Sequence, residues 1–232
     1  MRLLALDTTS NACSVALQVG DQIAERHEVE ARAHSRVLLP MIRDLLAQFD
    51  CTLSQLDAVV LGNGPGSFIG LRIGASVAQG LTFGAGVPLV AISSLAAVAQ
   101  QCFVEDAAKR VLVAQDARMH EVYLAGFEKT PDGLPKPAFD VQLQSIGGMA
   151  DTGGAAGRWV AAGDGWHRHA ALLQSNANLI ESVSELRYPR ARALLPSGAA
   201  AFAAGETVDP VSLVPTYVRE TVARVPSDAT RG

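Results

Sequence analysis

Two aspartates, each at the end of a predicted strand and each opening a turn, are the side chains best placed for chemistry. The strand-like run Leu3 to Leu6 ends in Asp7, and the run Val111 to Gln115 ends in Asp116. Hydroxyls and turn N–H groups can bind phosphate oxygens, while a carboxylate positions Mg²⁺ through water. The first turn therefore predicts a phosphate loop made of Asp7, Thr8, Thr9 and Ser10.

A structural interpretation of the same turns stays open, because Asp, Ser and Thr also bond their own backbone in turns. The second turn, Asp116-Ala117-Arg118-Met119, contains neither glycine nor hydroxyl. A phosphotransferase lacking half of its clamp would position the metal and the phosphoryl group poorly. Gly163-Asp164-Gly165 could let backbone approach a nucleoside closely, but the same residues are ordinary turn chemistry.

A glycine-rich segment, residues 62–74, joins a strand-like run to a predicted helix. It is not a Walker loop, since no Lys-Ser/Thr follows, nor a Rossmann fingerprint, since Ile69 stands where the third glycine would be. Small residues recur at every fourth position and predict a helix face without side chains, flanked by apolar residues. That face suits packing within the chain or against another subunit's helix, and the pattern leaves both open. The ridge is Gly66, Gly70, Gly74 and Ala78, and its flanks are Phe68, Leu71, Val77 and Leu81.

Histidines and cysteines are too scattered to predict a metal site. None of His27, His34, His120, His167 and His169 forms a His-x-x-x-His pair. The three cysteines are widely spaced, so we expect reduced thiols and no disulfide frame.

Composition narrows the class of protein. With 232 residues, of which 49% are hydrophobic, the chain can bury a large core as one large or two small domains. No apolar run approaches the ~20 residues of a membrane span, and a cytoplasmic protein is expected. A net charge of −4 without a basic run argues against direct binding of nucleic acid.

Hydrophobic periodicity predicts the order βββαβαβα for the first half. Three extended segments come first, then a helix capped by Ser35 whose apolar face includes Leu38, Met41, Ile42 and Leu45. After residue 106 a second strand–turn–strand pattern echoes the first, which indicates a weak duplication. We therefore predict two actin-like domains of the βββαβαβα type, residues 1–106 and a truncated 107–232.

Motifs along nearly the whole chain resemble the bacterial TsaB (YeaZ) family. They occur in the family's order and are more specific together than any one of them alone. They are Leu4-Ala5-Leu6-Asp7-Thr8-Thr9-Ser10, Cys13-Ser14-Val15-Ala16-Leu17, His34 with Leu39-Pro40-Met41, Gly64-Pro65-Gly66-Ser67-Phe68, Gly70 with Arg72-Ile73-Gly74, Asp116-Ala117-Arg118-Met119, Glu121-Val122-Tyr123, Gly163 with Gly165-Trp166, and Pro215 with Tyr217 and Arg219. Ile69 departs from the threonine that relatives often carry there.

The resemblance implies an α/β, actin-like (ASKHA, hexokinase-like) fold and a part in making threonylcarbamoyladenosine beside the tRNA anticodon. It implies a non-catalytic subunit that pairs with the related TsaD and with the ATPase TsaE, and that dimerises with itself when alone. ATP and metal are expected on those partners, and tRNA is expected to be contacted only through the complex. We place the partner interface on helices 34–49 and 67–83, with His34, Leu38, Met41, Ile42 and Leu45 joining the ridge and its flanks.

A missing metal pair separates this chain from its catalytic relative. TsaD proteins carry a His-x-x-x-His pair after the strand equivalent to Pro88–Ile92, where this chain has Ser94 and Val98. Two alternatives remain from the residues: an independent actin-like ATPase or kinase using Asp7 and Asp116, and a glycopeptidase-type metalloprotease. The second lacks ligands with which to activate water.

Overall fold

Residues 1–30, 33–154 and 157–218 are described by the computed structural model of this protein. The first half forms a five-stranded sheet in the order β3-β2-β1-β4-β5. β1 pairs antiparallel with β2 and parallel with β4, which confirms the predicted βββαβαβα order. The elements are β1 (Arg2–Asp7), β2 (Ala12–Val19), β3 (Gln22–Val29), α1 (His34–Gln48), β4 (Ala58–Gly62), α2 (Phe68–Ala85), β5 (Leu89–Ile92) and α3 (Ser94–Glu105), with a short 3₁₀ turn at Leu53–Gln55.

The start of α1 differs from the prediction. Ser35 lies inside the helix, because His34 is already helical and Ala33 occupies the N-cap position without a side-chain hydrogen bond. Ser67 and Ser93 do cap α2 and α3, since their hydroxyls accept the N–H groups of Gly70 and Ala96.

The second half repeats the strand order of the first. Its sheet runs β11-β10-β6-β7-β8, with β9 also paired to β7. The helices between β10 and β11 are short, and in the described residues no long helix corresponds to α1. The duplicated actin-like fold with a truncated second half is thereby confirmed. The elements are β6 (Arg110–Arg118), β7 (Glu121–Lys129), β8 (Pro135–Pro137), β9 (Gln142–Ser145), β10 (Trp159–Ala162), α4 (Asp164–Arg168), α5 (Ala170–Ser175), β11 (Ile180–Val183) and α6 (Ala191–Ala203).

The last helix of each half packs on the sheet of the other half. Leu194 and Leu195 of α6 are buried against Leu3 and Val60 of the first sheet. In the same way α3 packs on the second sheet, where Val98, Cys102 and Phe103 form one cluster with Val111 and Phe127. The alternation of β-strand side chains supplies a second apolar face to each sheet. The boundary after residue 106 stays a prediction, and this exchange of helices crosses it.

The chain after α6 returns along the first half. Val208 forms an antiparallel bridge with Leu89, the Gln79 side chain donates to the Pro210 carbonyl (2.7 Å), and the Asn63 side chain donates to the Val214 carbonyl (3.1 Å). Arg219, named in the resemblance, lies outside the described residues. No helix among those described is both long enough and apolar enough to span a bilayer.

Candidate functional site

The two aspartate turns lie on the walls of one cleft between the halves, which encloses about 200 Å³. The first turn, the start of α2, the second turn and the returning C-terminal segment all contribute to it. Gln115, Tyr123, Thr216 and Tyr217 were not predicted as cleft residues, because no local sequence signal shows that the second sheet and the C-terminal segment meet the first turn. The wall consists of Thr9, Ser10, Asn11, Gly66, Ser67, Phe68, Leu71, Gln115, Asp116, Ala117, Arg118, Tyr123, Asp164, Thr216 and Tyr217.

Asp7 does not line this cleft. Its Oδ1 accepts the Thr9 N–H (2.9 Å) and the Thr9 hydroxyl (2.8 Å), and its Oδ2 accepts the Ser94 hydroxyl (2.6 Å). Burial raises the pKa of Asp7 to about 6, against the opposing effect of these hydrogen bonds. Both carboxylate oxygens are therefore occupied inside the protein, as the structural interpretation of the turn expects.

The hydroxyls of the first turn are also used internally. Thr8 Oγ1 donates to the Gly70 carbonyl (2.7 Å), and Ser10 Oγ accepts the Ala12 N–H (3.1 Å). The Thr9 carbonyl accepts the Ser67 N–H at 2.6 Å. Thr9 and Ser10 still border the cleft, but the turn is held to α2 and to its own strand.

The second turn is surrounded by basic side chains. Asp116 Oδ2 lies 3.2 Å from Arg118 Nη1 and 3.9 Å from Arg168 Nη1, and its Oδ1 lies 3.5 Å from His169 Nε2. Arg118 has a φ of +62°, so the turn is held in a left-handed conformation that few side chains favour. The carboxylate that the sequence assigned to Mg²⁺ is thus shared among this chain's own basic groups.

Asp164 supports the second turn from the start of α4. Its Oδ1 accepts the Asp116 N–H (2.9 Å) and its Oδ2 accepts Arg168 Nε (2.8 Å). Burial raises the pKa of Asp164, while these partners act in the opposite direction. The neighbouring Gly163, with φ +103°, and Gly165 lie against the backbone of Ala114, where a Cβ would be closer than 3.0 Å to its carbonyl oxygen. Their close approach is to β6, within the chain.

The glycine ridge is filled by the Asp7 turn. A Cβ at Gly70 or Gly66 would overlap the carbonyl oxygen of Thr8 or Thr9, and one at Gly74 would lie 2.5 Å from Thr8 Oγ1. Ala78 is fully buried. The prediction that another subunit occupies this ridge is wrong, because the chain's own β1–β2 turn leaves no room there. Of the two alternatives that the pattern left open, packing within the chain is the one observed.

The predicted interface residues of α1 face inward as well. Leu38, Met41, Ile42 and Leu45 belong to the core under the first sheet. His34 is buried, and its Nε2 lies 3.0 and 3.2 Å from the carbonyl oxygens of Ser10 and Ala12, so this nitrogen carries the proton. These side chains are corrected to core positions, because a helix lying on a sheet turns its apolar stripe toward that sheet. On α2, Leu71 is buried in the same way.

The outer face of α2 remains accessible and carries three large apolar side chains, with Arg72, Ser76 and Gly80 exposed between them. Phe68 is 49% exposed, Ile69 69% and Phe83 77%. The predicted flanks Val77 and Leu81 are partly exposed. The Arg72 guanidinium lies 3.3 Å from the centroid of the Phe68 ring and 5.7 Å from that of the Tyr217 ring, and the two ring centroids are 6.0 Å apart. The helix was identified correctly from sequence, but Ile69 and Phe83 were not.

The two positions expected to carry metal ligands in a catalytic relative have structural roles. The Ser94 hydroxyl donates to Asp7 Oδ2 and accepts the Gly64 N–H (3.1 Å). Val98 is completely buried between α3 and the second sheet. Within the described ranges, no group of three His, Cys, Asp or Glu side chains could hold a metal ion.

Comparison with known proteins agrees with this architecture. The family model of TsaD, tRNA N6-adenosine threonylcarbamoyltransferase, matches residues 23–225. The tRNA threonylcarbamoyladenosine biosynthesis protein TsaB of Escherichia coli is 36% identical, with 96% of each chain covered. The TsaB protein of Buchnera aphidicola from Schizaphis graminum is 30% identical, with 84% of this chain and 91% of that protein covered.

A solved structure agrees over the same extent. YeaZ from Pseudomonas aeruginosa superposes with a TM-score of 0.86 at 37% identity, covering 94% of this chain and 99% of that one. The sequence match and the structural match both run through the two halves. This chain therefore belongs to the TsaB (YeaZ) family.

Proposed function

We propose that this chain is a non-catalytic subunit in the biosynthesis of threonylcarbamoyladenosine, the modified adenosine 3′ of the anticodon in tRNAs that read codons beginning with A. The observation that carries the proposal is the end-to-end match to TsaB proteins, whose name states that biosynthesis. In this role the chain supports the transfer of the threonylcarbamoyl group and performs no bond-making step itself.

The interior of the fold supports a non-catalytic role. A metal-dependent transferase or protease needs ligands that hold the ion and a group that activates the nucleophile. Here Ser94 is committed to Asp7 and Gly64, and Val98 is enclosed in the core. Asp7 has both oxygens occupied. The same geometry argues against the glycopeptidase alternative.

The partners in this proposal are the TsaD and TsaE subunits, in the cytoplasm and away from any membrane. ATP and metal then reside on those subunits, and tRNA is reached through the complex. We assign the contact with TsaD to the outer row of α2, which consists of Phe68, Ile69 and Phe83, in place of the filled ridge. Phe68 and Ile69 are exposed side by side at the start of α2, with Phe83 exposed near its end, and contiguous exposed apolar side chains are typical of a surface that a partner covers. In isolation, a second copy of this chain would cover the same row.

Reconstitution tests the role. We would combine TsaD, TsaE, unmodified tRNA, ATP, Mg²⁺ and the threonylcarbamoyl donor, with and without this chain, and measure modified adenosine by mass spectrometry of digested tRNA. Product should require the chain, and the chain alone should yield none. Product formed at equal rates in its absence would refute the scaffold role, and product from the chain alone would refute the non-catalytic one.

An independent ATPase or kinase remains the second candidate, because one cleft does bring Thr9 and Ser10 together with Asp116 and Asp164. Its carboxylates are already paired or bonded internally, which disfavours a Mg²⁺–phosphate cluster. Calorimetry of the purified chain with ATP and Mg²⁺, followed by a phosphate-release assay, separates the two. Tight binding with turnover by this chain alone would establish the second candidate in place of the first.

A further inference from the structure

A second and larger concavity lies where α3, α6 and the β2–β3 hairpin meet. This groove encloses about 590 Å³ and shares no wall residue with the aspartate cleft. Its volume falls in the range of roughly 300 to 1,000 Å³ that is typical of small-molecule sites. Nothing in the proposed subunit role uses it.

The groove contains a buried amide without a protein partner. Gln100 of α3 is 6% exposed and lines the groove, and its Oε1 has no hydrogen-bond donor in the described part of the chain. The neighbouring Gln101 is different, since its Nε2 donates to the carbonyls of Ala97 and Tyr188. A buried amide oxygen without a hydrogen bond costs free energy. A ligand that donated a hydrogen bond to Gln100 Oε1 would remove this cost.

A ligand amide can supply that hydrogen bond after a turn of the Gln100 side chain. The Oε1 atom has almost no accessible surface where it lies, and a half-turn about the terminal torsion, which is broad and roughly two-fold in glutamine, brings the oxygen to the groove. A secondary amide offers both an N–H and a carbonyl. It can therefore pair with Gln100 whichever atom faces it.

Two arginines line the groove: Arg190 is paired with Glu25, whereas Arg192 has no acidic partner among the described residues. Glu25 is used fully: Oε2 lies 3.1 Å from Arg190 Nε, and Oε1 accepts the Arg192 N–H (3.0 Å) and the Ser14 hydroxyl (3.1 Å). Arg192 lines the groove, and its guanidinium forms no ion pair with the described residues. Because its planar fork binds carboxylates in a bidentate manner, Arg192 favours an anionic group on the ligand.

The remaining wall is largely aliphatic. Ile23, Leu195 and Pro196 line it from β3 and α6, and Val104, 71% exposed, stands at α3. Such a surface gains free energy by burying a branched apolar side chain. Gln18 and Glu105 complete the polar part of the wall. The groove therefore combines the unpaired amide of Gln100, an arginine without an ion pair and an apolar wall.

We propose that this groove binds a small N-acylated apolar amino acid, whose amide meets Gln100, whose carboxylate meets Arg192 and whose side chain packs on Ile23 and Leu195. The site is separate from the aspartate cleft and from the outer row of α2.

N-acetyl-L-leucine is the probe that tests the proposal. Isothermal calorimetry on the full chain should give saturable binding with a Kd below about 10 mM, the weak affinity expected of a ligand of this size. N-acetyl-leucinamide lacks the carboxylate and 4-methylpentanoate lacks the amide, so each should bind roughly tenfold more weakly or worse. Absence of saturable binding by N-acetyl-L-leucine would overturn the proposal.

Two variants locate the binding within the groove. Arg192→Gln and Gln100→Met should each weaken N-acetyl-L-leucine by at least roughly tenfold, while Arg187→Gln, which removes a guanidinium paired to Glu185 outside the groove, should leave Kd unchanged. Gln100→Met keeps the side-chain length and removes the orphan amide, so its thermal midpoint should be equal or higher. Equal affinity in Arg192→Gln and the unsubstituted chain would refute the site even if Gln100→Met did not fold.

Discussion

At the scale of single residues, the Asp7 carboxylate shows how an apparent catalytic group can be structural. An aspartate at a strand end followed by three hydroxyl residues fits a phosphate loop by composition alone. Which way the carboxylate points depends on Ser94, 87 residues away, whose hydroxyl binds it. The chemistry of the turn could be predicted from sequence, but its direction could not, because that partner is distant along the chain.

The raised pKa of Asp7 predicts that the stability of the protein depends on pH. Burial raises its folded-state pKa from 3.8 to about 6, so the folded protein binds this proton more tightly than the unfolded chain does. The protonated Asp7 carboxyl therefore contributes fully to stability below about pH 4. This contribution is lost as pH rises through 6, and the free energy of unfolding falls by on the order of 3 kcal/mol. Asp7→Asn should remove that part of the pH dependence, measured by urea unfolding between pH 4 and 7.

The exposed Asp132 supplies the control for this experiment. Asp132→Asn should retain the full decline in the free energy of unfolding between pH 4 and 7. If Asp7→Asn declined as steeply as Asp132→Asn, the assignment of the pH dependence to Asp7 would be wrong.

At the scale of elements, two features that the sequence presented separately are partners. Gly62 makes room for the Asp7 carboxylate, Gly70 and Gly74 for Thr8, and Gly66 for Thr9. The spacing of four correctly predicted a helix face without side chains at Gly70, Gly74 and Ala78, whereas Gly66 lies before the Ser67 N-cap, outside the helix. Its occupant could not be predicted, since a turn of the same chain and a helix of another subunit need the same smooth surface.

This packing predicts how glycine substitutions in α2 behave. Gly70→Ala places a methyl group against the Thr8 carbonyl, where the backbone must shift, and should destabilise the protein by about 1–3 kcal/mol or more. Gly80→Ala in the same helix meets nothing within 4 Å and should stabilise it by about 0.5–1 kcal/mol through helix propensity. Thermal or urea unfolding of the two variants measures the difference.

The essential outcome is that the two alanine variants change the free energy of unfolding in opposite directions. Equal stability of Gly70→Ala and Gly80→Ala, combined with loss of TsaD binding only in the first, would restore the ridge as a subunit contact. The order of elements along the first half, and the strand–turn–strand pattern that opens the second, were predictable because hydrophobic alternation and helical periodicity are local signals. The direction in which each helix face points could not be predicted, because it depends on where the sheets lie.

Among the exposed surfaces of the protein, the one that we propose for TsaD is the outer row of α2. Ile69→Glu places a charge in that row without touching the core, since Ile69 is 69% exposed. We expect at least a tenfold loss of affinity for TsaD, or roughly 1.4 kcal/mol, with an unchanged unfolding midpoint. Surface plasmon resonance against immobilised TsaD measures the affinity.

Met149→Glu is the matched control, because Met149 is similarly exposed, at 64%, in the second half. It should bind TsaD as the unsubstituted chain does. If Ile69→Glu also bound normally, the contact would have to lie elsewhere on the molecule.

The exchange of α3 and α6 between the sheets has a consequence for fragments of the chain. Either half made alone would present an uncovered apolar sheet face and a stray helix, since Leu194 covers Leu3 and Val60, while Phe103 covers Val111 and Phe127. Cleavage between Asp106 and Lys109 should therefore give two pieces that reassemble by complementation, each insoluble without the other. For the same reason, any movement between the halves would have to keep α3 and α6 on the sheets that they cover.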